Sequence, residues 1–578
     1  MPLPPPSAAL RSASGAQWLL HLQIGGTELL LGEQDRDAEG DGQTWQVRGG
    51  LPEIEVTEAI RQAGDTSTSA SLSLSLILPL EVASIPGGIS GCPAELSRWV
   101  PGTDLSARRV ILRGRVRDPE WGEAGEPVAF TIEDQPWQRS TTLPTSRQRV
   151  DGTTWPDSIL DLQEAHLGAA YPLVFGRPGA LSDGSRASAT PARWVWHHPL
   201  TGGAYTEFTG LILLIAGHHV SAERVYLICD EHPQAWRAPV FNGVDGRGQP
   251  VAFVPWYATI SGTEEPYGYD PGGTYTSSLL DFDGATTYGL GHRGSLPDGT
   301  TVSALTTDSA QPAFWVAWDD EESFAHGGIT EGGQLVREAG AVLGWILRRM
   351  GGVDAGSVAA AAPFLRGFRL DFGIYSSADL WEVVQAHLVP VLPISITSGP
   401  DGLRLAVWRW DAAAAEAVAE LEAGPEVERV SAVAEDSGSV CNRFRLQFSR
   451  AARTSRYTEE ARLDGDPYDV DDPDHEPSEV CRRSAARYGE TEELLLQSDV
   501  LYDRATARLV LRHLAAARAL PRLRVRYLVA ERLAAQLRPG AVVALTDARL
   551  GWSRRVWLVE EVIVRSGTVE IGLICSAS

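Results

Sequence analysis

The chain has 578 residues, 43% of them hydrophobic and 22% charged, with 75 acidic against 50 basic side chains and a formal net charge of −25. That length exceeds a single core and implies roughly three to five domains at ~100–200 residues each. An acid excess of this size disfavours reading of nucleic acid and steering onto anionic membranes, and it suits a surface that DNA passes without sticking. The basic residues are all arginine, since no lysine occurs, and asparagine stands only at Asn242 and Asn442. Five widely spaced cysteines, Cys92, Cys229, Cys441, Cys481 and Cys575, form no C-x-x-C pair. They read as buried free thiols rather than a disulfide framework or a zinc site. The longest aliphatic run, residues 211–215, is far shorter than the ~18 residues of a membrane span. Residues 1–15 lack the apolar centre of a secretory signal, so the reading is of a soluble protein made in a cytoplasm.

Residues 1–16 read as a flexible arm, rich in Pro, Ser and Ala. Alternation of apolar and polar residues then begins at Trp18, Leu20, Leu22 and Ile24 and recurs at Leu72, Leu74 and Leu76 between serines. Residues 110–116 and 128–132 continue a meander. Residues 17–138 therefore read as an antiparallel β domain, a barrel or rolled sheet, with helix only near residues 93–98. Residues 139–170 read as a linker with a short helix at 156–166, favoured by Pro156 at the first position and by Asp157 and Asp161. Residues 171–330 are rich in Gly, Pro, Thr and Trp and read as a loop-rich β insert. Trp194, Trp196, Trp236, Trp256, Trp315 and Trp318 suit either core anchors or a sugar-stacking face.

The stretch 331–425 reads as an α+β waist. Leu335, Ala339, Val342, Leu343, Ile346, Leu347 and Met350 recur at helical spacing, and Gly351-Gly352 stops the helix. Ser376 and Asp379 read as a cap for a second helix with Leu380, Val383, Val384 and Leu388 as its buried stripe. Leu392, Ile394 and Ile396, then Leu403, Leu405 and Val407, read as two alternating strands around a Ser398-Gly399-Pro400-Asp401-Gly402 hairpin signal. The Ala/Glu stretch 412–422 reads as a helical link. Residues 426–578 read as a closing β domain with one helix, capped by Asp503 and facing inward through Ala507, Val510, Leu511, Leu514 and Ala517.

Chemistry is sparse. The acidic loop 464–476, with Asp464, Asp466, Asp469, Asp471, Asp472, Asp474 and Glu476, is dense enough in oxygen ligands for calcium, but lacks the spacing of a calcium-binding loop. The doublets His197-His198 and His218-His219 each offer one side chain per strand face, which does not make a metal site. Asp281 and Asp283 share a strand face and, with Glu264, are the acid candidates for a hydrolase. No phosphate loop, dinucleotide fingerprint or nucleophile elbow occurs. No catalytic, cofactor or metal residue is assigned.

The order of the pieces resembles the tail hub (baseplate hub) proteins of tailed bacteriophages. The segments that carry this are residues 171–178, residues 211–225, Ser377-Ala378-Asp379-Leu380-Trp381, the Gly402-Leu403 hairpin, Asn442-Arg443-Phe444, Tyr488-Gly489, the 503–519 helix and Pro539-Gly540-Ala541-Val542. The resemblance implies a mainly β, multidomain chain with α+β parts, in which two tube-like β-barrel or sheet domains, 17–138 and 426–578, flank the insert and the helical waist. It further implies a homotrimer, a structural virion protein of the tail tip assembled in the host cytoplasm. Such a hub joins a sixfold tail tube or distal tail protein to a threefold spike or fibre, with DNA passing through during ejection. No enzyme activity or cofactor is implied. A tail-associated polysaccharide hydrolase or a glycan-binding adhesin, acting through 171–330, stands as the alternative.

Overall fold

The computed structural model describes residues 15–576 except 41, 53, 60–70, 77, 79–87, 122–125, 135–140, 152–166, 180–189, 200–207, 223, 230–231, 246, 260–313, 319–327, 400, 468–471 and 566. The arm and the 156–166 helix expected from the sequence lie outside these residues, apart from Gly15 and Ala16 and from a few linker positions. The architecture is mainly β with α+β parts, and multidomain.

The opening sheet has eight strands in the spatial order Arg36–Gly40, Gln43–Gly49, Thr27–Gly32, Gln17–Ile24, Pro93–Trp99, Arg109–Glu120, Val128–Asp134 and Ser71–Leu76. Alternation decides which face is buried: Leu74 and Leu76 are buried while Ser73 and Ser75 are exposed. Residues 93–98, expected to include helix, form the strand Pro93–Trp99, paired on both sides to Gln17–Ile24 and Arg109–Glu120. Two ready-made ladders outweigh the local preference there, and Pro93 sits at the first strand position, where a missing N–H is tolerated.

The closing sheet runs Ala419–Glu422, Val542–Asp547, Trp552–Val564, Thr568–Ser576, Arg522–Ala530 and Val427–Arg429, with Ala434–Asp436 also on Arg522–Ala530. It receives one strand from the opening region: Val56–Ala59 pairs antiparallel with Trp552–Val564. The Ala/Glu stretch 412–422 is not a helix. Only Ala414–Glu416 makes a single 3₁₀ turn, and Ala419–Glu422 then pairs parallel with Val542–Asp547. Helix propensity is a weak preference, and an unsatisfied sheet edge beside it wins.

One hydrophobic core joins the two sheets. Trp18, Leu20, Leu22, Leu96, Val116 and Ile132 pack with Val525, Tyr527, Val543, Trp557, Val562 and Leu573. Each such side chain contributes ~1.5–3 kcal/mol when fully buried, so the pair of sheets folds as one body. The opposite face of the closing sheet, through Val542, Leu558 and Ile574, packs on Ala406 and Trp408 of the waist.

The waist core joins parts far apart in sequence. Val342, Leu343, Ile346 and Leu347 of the helix Ala339–Arg349 meet Leu380, Val384 and Leu388, the hairpin strands Ile394–Gly399 and Gly402–Val407, and then Phe444, Leu446, Phe448, Val510, Leu511 and Leu514. Residues 426–578 are thus shared between two cores. Their middle part, a four-stranded sheet (His475–Pro477, Arg456–Asp464, Phe444–Ala451, Leu494–Gln497) with the helix Arg504–Arg518, belongs to the waist. That region holds more than the one helix expected. Glu479–Tyr488, capped by Ser478, and the short turn Glu531–Ala534 accompany Arg504–Arg518. In the waist, Leu335 lies in a short strand before the first helix, and Asp379 rather than Ser376 caps the second, accepting from the Trp381 N–H at 2.7 Å. Asp354 starts a further helix, Ala355–Ala361.

The insert is a seven-stranded sheet in the order His232–Pro239, Arg224–Cys229, Phe314–Trp318, Thr190–Pro199, Phe208–Ala216, Pro250–Thr259 and Phe241–Val244. It has its own core, including Val195, Leu213, Ile215, Phe253, Val316 and Trp318.

Candidate functional site

The described residues bring chemistry-bearing side chains together mainly at joints between bodies. The first joint lies between the two sheets. Arg98 stands directly opposite Trp18 in the strand ladder, on the face shared with Leu20 and Leu96. Its guanidinium is fully buried, 4.8 Å from the Trp18 ring centre. Arg98 Nε donates to Glu531 Oε1 at 2.9 Å and Nη2 donates to Oε2 at 2.8 Å. Nη2 also donates to the Ala16 carbonyl, and Glu33 Oε1 lies 3.7 Å from Nη1. A bidentate pair of this kind satisfies charges that burial would otherwise penalise.

The second joint is Asp371, fully buried. It accepts from Arg337 Nε and Nη2, each at 2.7 Å, and from the Arg177 backbone N–H at 2.7 Å. Its own N–H donates to the Val500 carbonyl at 2.9 Å. One residue therefore ties the stalk of the insert to the waist through its carboxylate and to the middle of the closing segment through its backbone N–H. Gly176 makes this approach possible. It has φ +64°, and a Cβ there would stand 2.1 Å from Asp371 Oδ1.

Beside this joint lies a cavity of about 380 Å³ lined by Phe372, Tyr375, His387, Arg450, Asp499 and Tyr502 among others. Its polar groups are largely engaged. Asp499 accepts from Arg450 Nη1 at 3.0 Å and from the Tyr457 hydroxyl at 2.8 Å, and the Tyr502 hydroxyl donates to the Arg450 carbonyl. Burial, followed by the bond to Asp499, pushes the Tyr457 phenol up to about 12. These bonds tie the strands Phe444–Ala451 and Arg456–Asp464 to the segment that carries Asp499 and Tyr502.

The residues singled out from the sequence are dispersed. Glu264, Asp281 and Asp283 lie outside the described residues, as do Asp469 and Asp471 of the acidic loop. Apart from Asp466, whose N–H donates to Asp464 Oδ1 at 2.9 Å, the other described carboxylates of that loop bond a histidine or an arginine. Asp464 accepts from His475 Nε2 at 2.9 Å, Asp472 pairs with Arg462, Asp474 with Arg504 at 2.8 Å, and Glu476 with Arg512 at 2.5 Å. Among the described residues no group of three His, Cys, Asp or Glu converges as a metal site. His218 accepts the Val174 N–H on Nε2 at 3.2 Å, and His219 Nε2 bonds the Gly243 carbonyl at 2.8 Å, so both hold loops. Trp318 is a core residue, fully buried and donating to Thr190 Oγ1 at 3.2 Å, rather than part of a stacking face. Among the thiols, Cys481 and Cys575 are buried while Cys92 and Cys441 are partly exposed, and all four are free.

Sequence reasoning did not single out Arg98, Glu531, Arg337 or Asp371. The signal available was an arginine at a core-facing position of an alternating strand, 96 then 98, which only a deep partner permits.

No family model matches the chain, and no curated protein matches it. Among solved structures it is similar to the tail protein from Neisseria meningitidis MC58, at 8% identity over 96% of each chain with a TM-score of 0.33. It is similar to the 43 kDa tail protein of prophage MuSo2 from Shewanella oneidensis, at 9% identity over 97% of this chain and 98% of that one, TM-score 0.35. It is also similar to the prophage tail protein gp18 from Listeria monocytogenes EGD-e, at 6% identity over 96% and 94%, TM-score 0.34. All three are named tail proteins.

Proposed function

We propose that the chain is a non-enzymatic structural hub at the tip of a phage or phage-derived tail. Three copies close into a ring that joins a sixfold tail tube to a threefold spike or fibre and lines the channel through which DNA leaves. The observation that carries this reading is that one chain supplies two large sheets fastened into one body through a common core. Three such chains present six sheets, and cyclic repetition of one interface then matches a threefold to a sixfold neighbour.

The strand Ser71–Leu76 supports the reading. It ends the opening sheet, pairs only with Val128–Asp134 among the described residues, and carries neither charge nor proline. Proteins that leave a sheet edge in water usually blunt it with such residues, so an unguarded edge is expected to be covered in the assembly. A net charge of −25 suits a wall that DNA slides past. Multi-angle light scattering of the purified chain and imaging of intact particles test the proposal. A trimer seated at the tail tip is expected; a monomer at every concentration, with no density at the tip, overturns it.

A further inference from the structure

Three side chains stand in a row across neighbouring strands of the opening sheet, on the face turned to the joint with the closing sheet. Trp18 is directly opposite Arg98, and Arg98 is directly opposite Arg109, the first residue of Arg109–Glu120. Residues opposite one another in a ladder share a face, and like charges so placed repel. Trp18 and Arg98 are 1% and 0% exposed. Arg109 is partly buried at the rim of the sheet, short of Gly114, where the pairing with Val128–Asp134 begins.

The row is short of acceptors. Four of its buried N–H groups have no hydrogen-bond partner among the described residues: Trp18 Nε1, Arg98 Nη1, and Nε and Nη2 of Arg109. The nearby carboxylates are engaged. Glu531 gives both oxygens to Arg98 Nε and Nη2. Glu33 Oε1 accepts the Trp18 backbone N–H at 3.1 Å and stays 3.7 Å from Arg98 Nη1. Arg98 is thereby neutralised, whereas among the described residues no carboxylate pairs with Arg109. An arginine does not give up its proton in a protein, so the charge stays where burial penalises it. A partly buried cation beside a second cation, in a row of unmet donors, calls for one negative charge.

We propose that Trp18, Arg98 and Arg109 form a site for one small monovalent anion, a halide ion or a carboxylate group, at the joint between the opening and closing sheets. A single charge fits the row. One guanidinium is uncompensated, and Glu531 and Glu33 beside Arg98 repel a polyanion such as phosphate. The anion accepts from the unmet donors, screens Arg109 from Arg98, and so steadies the clasp between Arg98 and Glu531. The site stands whether or not the chain is a tail hub, because it lies within one copy.

Thermal unfolding of the full chain at constant ionic strength tests it, with chloride, and in a second series formate, replacing the bulkier isethionate. The midpoint is expected to rise by roughly 1–3 °C per tenfold increase in chloride. Arg109→Met should abolish this slope and, in isethionate, match or exceed the wild-type midpoint, because it removes an uncompensated charge. Arg36→Met, which removes one charge from an exposed position of the same sheet, should keep the slope. Bromide soaked into crystals should give an anomalous peak within hydrogen-bonding reach of Arg109. A carboxylate supplied by a second copy instead makes the midpoint rise with protein concentration, and Arg109→Met removes that rise. A midpoint insensitive to both, a slope that survives Arg109→Met, or a bromide peak without either dependence (an adventitious ion only) overturns the site.

Discussion

Arg98 and Glu531, 433 positions apart, form a buried two-pronged ion pair between the opening and closing sheets. Each charge is tolerated inside only because the other is there. Replacing one partner leaves an uncompensated buried charge at a cost of ~3–5 kcal/mol, whereas replacing both with apolar residues of similar volume is close to neutral. Arg98→Met and Glu531→Leu are therefore expected each to lower the urea unfolding midpoint strongly, and the double variant to recover most of the loss. Equal, additive losses would show that the pair is not coupled.

Gly176→Ala is expected to loosen the insert from the waist. The position has φ +64° and a Cβ would meet Asp371 Oδ1 at 2.1 Å and the Leu370 carbonyl at 2.5 Å. Backbone strain of ~1–3 kcal/mol plus a displaced carboxylate predicts a lower thermal midpoint and faster limited proteolysis between insert and waist. Unchanged proteolysis would show that Asp371 is not the fastening point.

His513, on the helix Arg504–Arg518, gives a pH dependence of definite sign. Burial, and secondarily the Arg518 charge, holds its imidazole down at about 4. In the unfolded chain the same group titrates at ~6.5. Between those values the unfolded state binds the extra proton, so stability falls as pH drops from ~6.5 to about 4 and levels off below. His513→Gln should flatten that part of the urea midpoint against pH curve. Glu95 adds a second slope at lower pH. Burial alone would raise its carboxyl, but Arg113 and Arg108 together outweigh burial and hold it below the ordinary value. Its stabilisation is present above the unfolded carboxylate pKa and is lost as pH falls through the folded one.

Ser75→Arg places a charge on the exposed face of the edge strand Ser71–Leu76. Fold stability should change by no more than ~0.5 kcal/mol, because the position is in water. Assembly should be impaired, because a charged edge resists a joining strand. Circular dichroism and light scattering separate the two effects: an assembled, fully stable variant would remove this edge from the interface.

Much of the secondary structure was legible along the chain, because period and capping are local. The Ser/Leu alternation, the 503–519 helix with its Asp503 cap and buried face, and the Gly399 to Gly402 hairpin all follow from spacing of a few residues. Residues 93–98 and 412–422 depart from their local pattern for the converse reason. Their own preferences were weak, and a distant strand supplied the hydrogen bonds.

What the sequence by itself determined is a mainly β, acidic, multidomain chain with no recognisable catalytic signature. What only the tertiary structure decided is which pieces share a core. The closing segment divides between the opening sheet and the waist, and Arg98 finds Glu531 while Arg337 finds Asp371. Alternation states that a face is buried but not against what. The partner is selected by shape and charge across hundreds of residues, and no local pattern encodes that choice.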